Sequence, residues 1–356
     1  MSETTVVVLG AGCSVKYGYP LAKEFVPALE SFGASLGIDA EKLKNCIGET
    51  VQLLRDANAQ TVDELVFRLH TRALDRSNQS SMQAYMHRLQ QISNAKLATA
   101  ALFLALEQQA KTKPLEGYQR LILRMFPGSA PWQKRFQETR FRLMTFNYDR
   151  LFELELLRLF GIDSNTQLLY GDDILNAGLN HCLGESMGFR DDRFCFLKLH
   201  GSIGMRVREE YGQPRYYPYI DGEKPGQTIH INDERFFANA SQPLPQDRDP
   251  EPLIVFPVEK EFIRSGSENR LAFRDYITSV WKQAERIMES AAEIWFIGYS
   301  FAMMDRPAVI KLLSHACQCK RVIIHNRPGE AQRICQALAI EHPELTLRFV
   351  PYEQDF

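Results

Sequence analysis

Residues 6–14 read VVVLGAGCS: a short β-branched run that stops at Gly10-Ala11-Gly12. Four apolar residues in a row, with no polar alternation, mark a strand buried on both faces, as in a parallel sheet. A glycine turn straight after such a strand lets backbone approach backbone or ligand closely. Six further segments have the same apolar character: RLMTF (142–146), CFLKL (195–199), LIVF (253–256), EIWFI (293–297), RVIIH (321–325) and LTLRFV (345–350). Helix-like stretches follow several of them, at 20–32, 148–160, 303–316 and 329–340, with Pro328–Gly329 as the turn into the last. Strands alternating with helices predict an α/β fold with a doubly wound, parallel, Rossmann-like sheet.

Between the first helix and the second strand lie more than 100 residues without a convincing strand. VDELVFRLHTRAL (62–74), SMQAYMHRLQQIS (81–93) and NAKLATAALFLALEQQA (94–110) carry helical apolar spacing instead. The expected organisation is a discontinuous sheet domain, 1–32 and 139–356, with an all-helical insertion at 33–138. A second insertion, 204–250, is polar and rich in Gly, Pro and Tyr, which suits a hairpin or loop.

Composition narrows the class. Forty-two basic against 44 acidic residues give a net charge of −2, so no global field draws the chain to nucleic acid or anionic lipid. The most apolar helical stretch, LATAALFLAL at 97–106, is too short to span a bilayer. MSETTVVVLG has no basic segment ahead of its apolar run, so the expected location is the cytoplasm. Seven cysteines, an odd number without a single C-x-x-C, fit reduced thiols packed as core filler and argue against a zinc ribbon.

Three strand ends carry chemistry. Gly10, Gly12 and Ser14 follow the first strand, ahead of a helix expected near Pro20, an arrangement that can cradle a pyrophosphate at a helix N-terminus. The dehydrogenase fingerprint fails, because GxGxxG needs a glycine where Val15 stands, and this disfavours hydride transfer. TFNYD at 145–149 places Asn147 and Asp149 on alternate positions past the second strand. Taken alone, the pair reads more readily as a turn or helix cap than as a functional site. FLKLHGS at 196–202 puts His200 at a strand end beside Gly201 and Ser202, which suits an exposed base next to close-approaching backbone. His325 also ends a strand and ranks second, as an adenosine-side or structural residue. Ligands of open parallel sheets bind outside the carboxyl ends of the strands, so three equipped ends predict one site.

GAGCSVKYGYP, TFNYD, LKLHGS and the later GYS (298–300), in that order, resemble the sirtuin family, and the match covers most of the chain outside the two insertions. The resemblance implies that Gly10, Ala11, Gly12 and Ser14 hold the pyrophosphate of NAD and that Ser202 lies in its site. It implies that Gly298, Ser300 and Asn326 line the far end of the dinucleotide. Asn147 would order the nicotinamide ribose and a water, Asp149 would contact the carboxamide, and His200 would act as general base. Departures from the family pattern matter as much. No cysteine occurs between 201 and 316, where deacylating sirtuins carry two C-x-x-C pairs. Leu21-Ala22-Lys23 stands in place of Asp-Phe-Arg, and Phe146 in place of glutamine. The combination resembles the divergent bacterial, zinc-ribbon-less sirtuin-like NAD hydrolases of antiphage defence. The implied reaction is hydrolysis of the nicotinamide–ribose bond, with NAD as substrate and no zinc. Alternatives are a sensor that binds NAD or ADP-ribose without turnover, and an NAD-dependent deacylase or ADP-ribosyltransferase. Unchecked hydrolysis would harm the cell that makes it, so gating is expected through a homo-oligomer or a partner subunit. A HerA-type ATPase or an Argonaute is the partner the resemblance suggests, with no direct nucleic-acid or membrane binding by this chain.

Overall fold

The computed structural model describes residues 3–37, 40–59, 61–74, 82–161, 196–210, 213–218, 251–257, 259–260, 271–301, 305–345 and 347–353. Among them the chain runs β1 (Thr4–Leu9), α1 (Phe25–Ser35), α2 (Glu41–Asp56), α3 (Val62–Leu74), α4 (Met82–Ala110), α5 (Glu116–Met125), α6 (Trp132–Glu138) and β2 (Phe141–Thr145). It continues through α7 (Leu151–Phe160), β3 (Phe196–Lys198), β4 (Gly201–Glu210), β5 (Gln213–Pro218), β6 (Glu251–Ile254) and α8 (Leu271–Glu289). It closes with β7 (Ala291–Ile297), α9 (Arg306–Ser314), β8 (Arg321–His325), α10 (Glu330–Glu341) and β9 (Phe349–Tyr352). These elements pack as two compact units: Met1–Tyr17, Lys111–His200 and Asp275–Phe356 form one, Gly18–Ala110 and Gly201–Arg274 the other.

The first unit holds a six-stranded sheet, β3-β2-β1-β7-β8-β9, parallel throughout, and the fold is Rossmann-like α/β. Val6, Val7, Val8 and Leu9 are all at most 1% exposed, which explains why β1 shows no alternation: both faces are covered. Complete burial of each such side chain stabilises the fold by about 1.5–3 kcal/mol. The chain winds from β1 through β2 to β3, then crosses back to place β7 on the other side of β1. The strand order reverses there, where a crevice opens in sheets of this kind. Register lines up the carboxyl ends: Leu9 pairs with Thr145 and Ile297, Thr145 with Lys198, and Ile297 with His325. Gly10, Phe146, Leu199, Gly298 and Asn326 therefore leave the sheet along a common edge.

The second unit combines α1 to α4 with an antiparallel sheet, β5-β4-β6. A fully buried ion pair joins its two chain segments: Lys96 Nζ lies 2.6 Å from Glu259 Oε1, and neither side chain is exposed. Glu259 Oε2 also accepts the Phe256 amide at 3.2 Å, and the Lys96 ammonium sits 3.9 Å from the centre of the Phe273 ring. With these partners both charges keep favourable contacts away from water.

Several elements differ from expectation. LIVF lies in the antiparallel sheet, not the parallel one: β6 pairs with β4, and Leu253, Ile254 and Val255 have no exposed surface. A short, wholly apolar run reports burial on two faces and carries no information about strand direction. The stretches 81–93 and 94–110 form one continuous helix, α4. The last strand begins at Phe349, after a turn at His342–Leu345. Of the second insertion, β4 and β5 pair as antiparallel strands, while 219–250 lies outside the described residues.

Candidate functional site

Past β1 the chain makes two single 3-10 turns, Ala11–Cys13 and Val15–Tyr17, and a third, Ala22–Glu24, runs straight into the first α-helix at Phe25, so helical backbone starts two residues past Pro20. Short turns thus stand between the glycines and that helix. What the glycines accommodate is backbone from β7. Gly10 N–H donates to Ile297 O at 2.9 Å and Gly12 N–H to Gly298 O at 2.8 Å. A Cβ on Gly10 would lie 2.6 Å from Tyr299 Cα, one on Gly12 2.7 Å from Gly298 O, and one on Gly298 2.5 Å from Cys13 N. Gly298 also has a φ of +62°, so glycine is required there twice over. Cys13 donates its thiol to Ile297 O at 3.0 Å, and burial pushes that thiol far up, leaving it inert. Ala11 and Gly12 present the exposed side of this interlock.

Ser14 is the hub of a buried network. Its hydroxyl donates to Asp149 Oδ2 at 2.8 Å and accepts from Asn147 Nδ2 at 3.3 Å. It also meets Tyr118 Oη at 2.9 Å, and since its one proton goes to Asp149, Tyr118 is the donor. Ser14 Oγ is thereby fully engaged inside the protein. Asp149 is equally occupied: Oδ1 accepts the Leu151 amide at 3.1 Å and opens α7. Burial pushes the Asp149 carboxyl up to about 6, against the opposing influence of Lys198 and the Ser14 hydrogen bond. Lys198 in turn bonds Glu153 Oε1 at 2.8 Å. Tyr118 stacks on Tyr17 at 5.7 Å, and burial holds its hydroxyl well above the usual tyrosine range.

Asn147 bridges this network to something different. Its Nδ2 also donates to Gly10 O at 3.1 Å, and its own amide is held by Thr145 Oγ1 at 3.0 Å. Its Oδ1, buried, has no hydrogen-bond partner. His200, only 2% exposed, follows β3 on a turn whose carbonyls are pinned by α8: Tyr276 donates to Lys198 O and Trp281 Nε1 to Leu199 O at 3.0 Å. Its ring packs edge-on to Phe146 (5.2 Å) and beside Tyr148 (6.3 Å) and Trp281 (6.2 Å). His200 Nε2 makes no hydrogen bond but lies 3.2 Å from Asp305 Oδ1. Buried polar atoms are nearly always paired, so Asn147 Oδ1 keeps an unused capacity to accept a hydrogen bond, while His200 Nε2 faces the Asp305 carboxylate.

The other expected residues distribute as follows. Phe146 stacks on Tyr299 at 4.5 Å, and Tyr299 belongs to the turn after β7. Phe301 in that turn has a φ of +55°, costly for a bulky residue and of a kind that clusters at functional sites. Asn326 donates to Tyr299 O at 3.2 Å, tying the end of β8 to the same turn. Ser300 is exposed there. His325 packs against Tyr352, consistent with a structural part. Ser202 is buried at the start of β4, in the second unit. Three residues escaped the sequence reading. Tyr118 and Trp281 sit inside amphipathic helices where nothing distinguishes them from core. Asp305 did leave a trace, a carboxylate five residues past GYS at a helix start, the placement that singled out Asp149.

No protein-family model matches the chain, and no curated protein matches its sequence.

Proposed function

We propose that the chain is an NAD glycohydrolase that converts NAD and water to nicotinamide and ADP-ribose. The observation that carries this reading is the buried Asn147 Oδ1, which has no hydrogen-bond partner, at the carboxyl end of the sheet next to the one that bears the buried imidazole of His200. The pyridinium of NAD is a good leaving group because its departure neutralises the ring. Catalysis then depends on holding the ribose and aiming a water at its C1′. Asn147 Oδ1 is placed to hold a ribose hydroxyl or that water, and His200 to take the proton the water loses. A base in this position typically contributes about 10²–10⁴-fold. Asp149 and Ser14, whose hydrogen bonds are all internal, hold the glycine turn and Asn147 in place instead of touching the carboxamide or pyrophosphate. Ala11, Gly12 and Ser300 remain for the dinucleotide. Gating by oligomerisation or a partner subunit, a cytoplasmic setting and a part in antiphage defence belong to the same proposal. Among the described residues no helix is long and apolar enough to cross a membrane.

A second reading, binding of NAD or ADP-ribose without turnover, draws on the near-complete burial of His200. Incubating the purified chain with NAD and following nicotinamide by chromatography separates them. Hydrolysis reduced about 10²-fold or more in His200→Ala supports the enzyme. Calorimetric binding without any product, under every assembly state tested, selects the sensor.

A further inference from the structure

Asp305 occupies the N-cap of α9, a position where aspartate ordinarily bonds the free amides of the first turn. It makes no such side-chain bond. Its carboxylate instead approaches His200, with Oδ1 3.2 Å from Nε2, short of hydrogen-bond alignment but within ion-pair reach. Both groups are buried, at 7% and 2% exposure, where their attraction is strong. Phe146, Tyr148 and Trp281 leave the imidazole little freedom, and Trp281 is itself anchored on Leu199 O. Two further charged or titratable groups among the described residues are near Asp305. They are Tyr299, whose hydroxyl is raised first by burial and then by the Asp305 charge, and Arg306, which donates to Phe301 O.

Resting on the hydrolase reading, we propose that Asp305 is the positioning residue of His200: it accepts the Nε2–H and leaves Nδ1 as the atom that takes the proton. A carboxylate can only accept, so the neutral imidazole facing it must carry its hydrogen on Nε2. Hydrogen bonds of this kind are often misaligned without substrate and tighten when it binds. In the reaction the water O–H bond breaks, its proton passes to His200 Nδ1, and the oxygen lone pair forms the bond to C1′ as the bond to nicotinamide breaks. Protonated His200 is then stabilised by the Asp305 charge until it releases the proton to solvent.

The test reads the pair without NAD. Long-range proton–nitrogen NMR on the ¹⁵N-histidine-labelled full chain, with the His200 signals identified by their loss in His200→Gln, reports which ring nitrogen is protonated. The expected result is the Nε2–H form with an exchange-protected ring proton, and loss of that protection in Asp305→Ala. The same variant should lower kcat about ten- to a thousandfold, less than removal of the base, with KM nearly unchanged. Asp305→Asn, which keeps an acceptor, should recover part of the rate. An Nδ1–H form in the wild-type chain overturns the proposal, as does ring-proton protection that survives Asp305→Ala, or a variant that raises KM alone. Should Asp305→Ala fail to fold, the wild-type tautomer decides. A protected Nε2–H in a chain that never hydrolyses NAD keeps the pair and removes the hydrolase reading. Hydrolysis with the wrong tautomer does the reverse.

Discussion

The ends of β1 and β3 lie on the same edge of the sheet, yet they treat polar groups in opposite ways. Beyond β1, Ser14, Asp149 and Tyr118 satisfy one another, and the glycines are filled by the backbone of the Gly298 turn. Beyond β3, His200 is walled by aromatic rings and its Nε2 makes no hydrogen bond. The first corner resembles a finished protein core and the second an unfinished one. Stability should therefore be governed by the Ser14 corner and chemistry by the His200 corner, with Asn147 belonging to both. A motif residue that looks functional in sequence can be the one that holds the functional residue still.

The largest effect expected from this contrast is at Asn147. Asn147→Ala should reduce NAD hydrolysis by about 10²-fold or more while lowering stability by only about 1–2 kcal/mol, the worth of its two Nδ2 hydrogen bonds. Chromatographic rates beside urea denaturation check both figures. A variant that hydrolyses NAD as fast as wild type would place Asn147 wholly in the structural corner.

Next is the pH dependence of the Ser14 corner. The Asp149 carboxyl is raised from 3.8 to about 6 in the folded chain, so between those values the folded state holds a proton that the unfolded state has lost. Stability from this group therefore rises as pH falls from about 6 towards 4, and is lost as pH climbs through 6. The shift of roughly two units corresponds to on the order of 3 kcal/mol. Asp149→Asn removes the titrating proton. Urea midpoints at several pH values should show wild type gaining on the variant across that window. Parallel curves for the two proteins would mean that Asp149 is not buried as described.

The smallest effect is at Tyr118. Tyr118→Phe deletes the donor to Ser14 and should cost about 1 kcal/mol, read as a lower unfolding midpoint. A loss far larger would show that the tyrosine supports more of the glycine turn than the bond to Ser14.

The parallel sheet was legible because its strands are buried on both faces, as VVVL and RVIIH announce through unbroken apolar runs. Asn147 and His200 were legible because strand ends are where such sheets place ligands. LIVF shows the limit of that signal, since the same burial arises in an antiparallel sheet. Nor could spacing reveal that Ser14 and Asp149 turn towards each other, because their bond joins residues 135 apart in the chain. Asp305 was hidden for a different reason. Its position is the ordinary one for a helix cap, and only the direction of the carboxylate distinguishes a cap from a partner of histidine.

The buried Lys96–Glu259 bond bears on how the second unit can be altered or inherited. Its two ends come from segments 163 positions apart, so the helical stretch and the segment after β6 are chemically obliged to one another. Excising the helices alone would strand a carboxylate among apolar side chains, and grafting them elsewhere would carry a lysine without its anion. Ancestry should therefore show the two pieces gained or lost together, and any shortened version of this protein must remove both or neither.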